Sequence, residues 1–84
     1  MADFIVNQLG LGAVWDQIQA LGGEPVAALI QEGIELIGAG KEVYNQAKEI
    51  FKQLVQDLIA HTSDAAVLVN AAIAQVAELL SNYN

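Results

Sequence analysis

Residues 41–61, KEVYNQAKEIFKQLVQDLIAH, carry the reading that decides the fold. Apolar side chains fall at Val43, Tyr44, Ala47, Ile50, Phe51, Leu54, Val55, Leu58 and Ile59, in steps of three and four. This is the spacing of a helix that buries one stripe. The stripe covers roughly half of the helix circumference, wider than a coiled-coil seam, so the helix should touch at least two neighbours. At about 1.5 Å per residue it would be roughly 31 Å long. The opposite face holds Lys41, Glu42, Asn45, Lys48, Glu49, Lys52, Gln53, Gln56 and Asp57. All three lysines of the chain lie along one edge of that face. A solvated surface is the expectation there, and an anion-binding strip the alternative.

On the N-terminal side, Gly38-Ala39-Gly40 turns the chain into this helix, and a preceding helix is predicted over 25–37. It starts from Gly22-Gly23-Glu24-Pro25, a glycine stop followed by proline at a helix start. Val26, Leu29, Ile30, Ile34 and Ile37 make its expected apolar face, and Gln31, Glu32 and Glu35 its wet one. Gly33 falls on the apolar side, where close helix contact is a better reading than a bend. Earlier still, residues 2–9 suit a short helix with Asp3 near its positive end. Gly10 and Gly12 should break that helix, since each glycine disfavours a continuous helix by about 1 kcal/mol. The apolar pattern changes at the same point, from Ile5, Val6, Leu9 and Ala13 to Phe4, Leu11, Val14, Trp15, Ile18 and Leu21. A second helix to Leu21 follows; one helix buried on two sides is the alternative.

On the C-terminal side, Thr62-Ser63-Asp64 supplies a hydroxyl cap and an early acidic residue, and a helix is predicted over 64–82. Leu68, Val69, Ile73, Val76, Leu79 and Leu80 share one face, with Asn70, Glu78 and Ser81 on the other. Val67, Ala71 and Ala74 intrude on the polar side, leaving a second contact surface or a small exposed patch. The expected architecture is thus all-α: a four- to five-helix bundle whose first helix is broken near Gly10–Gly12, with residues 1–84 as one domain.

Composition narrows the function classes. The 84 residues are 55% hydrophobic and 15% charged, with no cysteine, so packing rather than disulfides or a Cys/His metal site must hold the fold. Ten acidic residues face three lysines, giving a net charge of −7. Such a balance disfavours nucleic acid and anionic headgroups, both of which select basic clusters. No uninterrupted apolar run reaches 18 residues; the longest uncharged stretch in the C-terminal half, 65–77, is broken by Asn70 and Gln75, so no transmembrane segment is expected. A basic n-region is also missing at the N-terminus, so the start does not read as a signal peptide. Either the cytoplasm or a mature secreted form suits a soluble chain of this kind.

Catalytic and metal chemistry find little footing. His61 is the only histidine, with Asp57 four residues before it. A catalytic base needs a nucleophile or substrate proton in reach, and Thr62 and Ser63 are better explained as caps. Glu32 and Glu35 have the spacing of a carboxylate metal bundle but no accompanying histidine. The chain is therefore expected to be no enzyme and to use no cofactor or metal. Acyl carrier proteins are also small, acidic and four-helical, but their Asp-Ser-Leu at the second helix has no counterpart; Ser63-Asp64 is reversed and too late. The chain is similar to saposin-like domains in size, helix count and apolar composition, without their six cysteines, so the likeness is architectural only.

Three non-enzymatic functions follow. The first is binding of a hydrophobic small molecule or neutral lipid, in a pocket lined by Phe4, Trp15, Ile30, Phe51, Leu54 and Ile73. A pocket mouth would be bordered by carboxylates, because little other charge exists, and would repel anions at neutral pH. The second is homo-oligomerisation through Val67, Ala71 and Ala74. The third is opening of the bundle at a lipid or air–water boundary.

Overall fold

Five α-helices succeed one another in the computed structural model, which describes residues 2–83: α1 Ala2–Leu9, α2 Trp15–Gln19, α3 Gly23–Ala39, α4 Lys41–Ala60 and α5 Ala65–Tyr83. Short 3-10 turns occupy Gly12–Val14 and Thr62–Asp64, and no strand occurs among the described residues. The all-α bundle expected from the periodicity is what forms. At about 1.5 Å per residue the 20-residue α4 is roughly 30 Å long, close to the 34 Å longest extent of the molecule. The other two extents are 22 and 20 Å.

On α4, Val43, Ala47, Phe51, Leu54 and Leu58 are buried, and the helix packs against both α3 and α5. The broad stripe thus serves two neighbours, as its width requires. Ile59, at the edge of the predicted stripe, instead projects into solvent and is 64% exposed. Seventeen buried apolar residues drawn from all five helices and the first turn form one cluster, and no polar or charged residue among those described is buried. Its centre is tight: Phe51, Leu58, Leu36, Ile18 and Leu11 have no exposed surface.

The first helix breaks where the glycines predict. Gly10 has φ of 72°, a conformation that side chains with a Cβ rarely adopt. Leu11 N–H then donates to the Val6 carbonyl at 3.0 Å, closing the end of α1. The break turns Leu11, Val14 and Ile18 into the core alongside Ile5, Val6 and Leu9. Ala13 and Phe4 remain on the outside, against the grouping expected for them. α2 ends at Gln19 rather than Leu21.

The predicted inner face of α3 is rotated. Leu29, Gly33 and Leu36 are buried, whereas Ile34 and Ile37 are exposed. Apolar residues cover well over half of this helix's circumference, so periodicity leaves its inner edge open, and packing against α1, α4 and α5 sets it. A Cβ at Gly33 would overlap Ile5 Cγ2 and lie 3.3 Å from Leu9 Cδ1, so the absence of a side chain lets α1 sit against α3. α3 also starts two residues before Pro25. Proline is tolerated there because the first-turn N–H groups have no intrahelical partner. At the other end the helix runs on to Ala39, leaving Gly40 as the N-cap of α4.

On α5, Val69, Ala72, Val76 and Leu80 are buried. Leu68, Ile73 and Leu79, expected on the same face, are half-buried beside them. The side chains of Asp3 and Thr62, for which helix-end roles are predicted, lie outside the described residues.

Candidate functional site

The six residues predicted to line an apolar pocket do not surround one cavity. Phe51 and Leu54 lie inside the packed core at 0% and 3% exposure. Trp15 and Ile73 are half-buried against it, and Ile30 is half-buried on α3. Phe4 is 53% exposed and borders a surface hollow of about 240 Å³ with Ile37 and Tyr44. Ile73 borders a different hollow with Pro25 and Asn70, and Leu54 a shallow recess of about 70 Å³ between α4 and α5. Periodicity identifies helix faces, not which faces stand around a common space, so the grouping could not be read from the sequence.

Val67, Ala71 and Ala74 share the outer side of α5 and are exposed, Val67 at 70%. Ala66 and Ala77 are exposed beside them. No charged residue occurs between Ala65 and Ala77, and Glu78 is the first acidic side chain after that stretch. Length and composition make Ala65–Asn82 apolar enough to cross a membrane, yet only 22% of it is buried in the bundle. The expectation of no such segment rested on uninterrupted runs. Asn70, Gln75 and Glu78 interrupt the run without offsetting the leucine, isoleucine and valine around them.

A further feature lies between α1 and α4. A groove of about 560 Å³ is lined by Asn7, Gln8, Leu9 and Gly10 on one side. Lys48, Glu49, Lys52, Val55 and Gln56 line the other. Tyr44 joins the two helices: its hydroxyl donates to the Gln8 backbone carbonyl at 2.6 Å, with the Gln8 Oε1 atom at 3.1 Å. A hydroxyl has one proton, and the shorter contact takes it. The accepting carbonyl belongs to the last turn of α1, whose C=O groups have no partner within their own helix. Lys48 Nζ stands 5.7 Å from the Tyr44 ring centroid, in cation–π range. Helical spacing along α4 already aligned these lysines; nothing local indicated that α1 would stand opposite them.

Glu32 departs from the solvated face predicted for it. The residue is half-buried, and its Oε2 atom is shut off from solvent without a hydrogen-bond partner. Burial, and secondly the charge of Glu35, push its pKa above the ordinary carboxylate value. Glu35 itself is exposed. His61 is exposed where α4 ends, and its backbone N–H donates to the Asp57 carbonyl at 2.8 Å. The Asp57 carboxylate accepts from Gln53 Nε2 at 3.0 Å. No three His, Cys, Asp or Glu side chains converge as metal ligands among the described residues.

Fold and surface together define a small all-α bundle with an apolar core and an apolar outer helix face. Compared with protein-family models, curated proteins and solved structures, the chain matches none of them.

Proposed function

We propose that this chain is a non-enzymatic association module that pairs with a second copy of itself through the outer face of α5. The observation that carries the reading is that α5 is apolar enough to span a membrane while only 22% of it is buried. Two further features favour a second copy as the occupant. Each chain carries a net charge of −7, which opposes contact between copies. The α5 stretch between Ala65 and Ala77 has no charge, so two acidic molecules approach there with the least repulsion. Alanines at 66, 71, 74 and 77 also allow two helices to come within close packing distance, about 8–10 Å between axes.

Sedimentation velocity across micromolar concentrations tests the proposal. The wild type should form a dimer or larger species, and Val67→Glu or Ala71→Glu should shift it to monomer with the helical circular dichroism retained. Association should strengthen as pH falls toward the sequence pI of about 4.1, because carboxylates neutralise. A wild-type monomer throughout that range would overturn the proposal. If that monomer also floated with phosphatidylcholine vesicles, the α5 face would be assigned to a lipid boundary instead.

A further inference from the structure

Composition alone predicts a binding mouth ringed by carboxylates. The seam between α1 and α4 reverses this. Lys48 and Lys52 line its groove and Lys41 lines the adjoining hollow, so all three cations of the chain border it. Among the described residues Glu49 is the one carboxylate lining the groove, which sets two positive charges against one negative there in a molecule of net charge −7. Neither the Lys48 nor the Lys52 ammonium is held in an ion pair among the described residues.

Gln8 lines both the groove and the hollow. Beyond it the seam turns apolar, with Phe4 53% and Ile37 48% exposed. Leu9 and Val55 add apolar wall beside the lysines, as do the lysine stems. From Lys41 to Val55 the α4 side of the seam is roughly 21 Å long. The groove volume lies within the usual range for small-molecule sites, about 300–1,000 Å³.

We propose that this seam binds a single-chain anionic amphiphile, with its headgroup on Lys48 and Lys52 and its chain across Gln8 onto Phe4 and Ile37. Two lysines on the groove wall, and an exposed apolar pair beyond Gln8 with Lys41 at its edge, match a charged headgroup and an apolar chain better than they match an uncharged lipid. The α5 face takes no part, because none of its residues lines the groove or the hollow, so this site stands or falls separately from self-association.

Isothermal titration of the intact chain at neutral pH with decanoate, 1-decanol and acetate tests it. Decanoate should bind saturably, and decanol and acetate at least about tenfold more weakly, since each lacks one half of the match. Lys48→Gln/Lys52→Gln should weaken decanoate about tenfold, and added salt should weaken it in the wild type only. Equal affinity for decanol and decanoate, or undiminished decanoate binding by the double variant, would overturn the proposal. Retained helical circular dichroism in the variant keeps loss of binding distinct from loss of fold.

Discussion

Ile5 occupies the space that a side chain at position 33 would need. Its Cγ2 atom would clash with a Cβ on residue 33, so α1 and α3 are in side-chain-to-backbone contact at that point. Gly33→Ala should therefore destabilise the protein by about 1–2 kcal/mol, because overpacking outweighs the helix propensity gained. Gly38 is the control: it lies in the same helix, and beyond its chain neighbours and its own helix backbone a Cβ there would meet nothing within 4 Å, so Gly38→Ala should stabilise by about 0.5–1 kcal/mol. Urea denaturation of both variants measures the pair, and a gain in stability at position 33 would contradict this α1–α3 packing.

Leu54 separates a packed core from a fillable one. It is 3% exposed on the side of α4 that faces the cluster. Leu54→Ala should cost about 2–5 kcal/mol, the range for a leucine removed from a rigid interior. A loss below about 1 kcal/mol in the same denaturation experiment would indicate loose packing there.

The Tyr44 hydroxyl ties α4 to the last turn of α1. Tyr44→Phe should cost about 0.5–1.5 kcal/mol, the net worth of one hydrogen bond. Hydrogen exchange should locate the effect, with α1 amides losing protection before those of α4. Uniform loss of protection would mean that the bond is not what holds α1 in place.

Glu32 gives a pH dependence with a definite sign. Its pKa in the folded chain is raised by burial and by Glu35, so the folded state holds the proton to higher pH than the unfolded state does. Protonation then favours folding at low pH, and this contribution is lost as pH rises from the ordinary value of 4.5 through the raised folded value. Glu32→Gln, which stays neutral, should raise the melting temperature relative to wild type at pH 7 and less, or not at all, at pH 4. An identical difference at both pH values would show that ionisation of Glu32 is not coupled to folding.

Helix number, the break at Gly10 and the buried stripe of α4 were legible in local sequence. Each depends on spacing along one chain segment: steps of three and four, a glycine free to take positive φ, and Gly22 and Gly40 between apolar runs. The exposure of Val67, Ala71 and Ala74 was legible too, since they fall across α5 from its strongest apolar stripe. What only the tertiary structure decided is which faces meet. α3 is apolar over well over half of its circumference, so its pattern does not distinguish Leu36, which is buried, from Ile34 and Ile37, which are not. Likewise, Lys48 and Lys52 face solvent on α4 in any fold, but they border a groove only because α1 stands across from them with Gln8 bonded to Tyr44. Spacing along a helix determines which side chains share a face, whereas the neighbour opposite that face is chosen by packing between segments far apart in the chain.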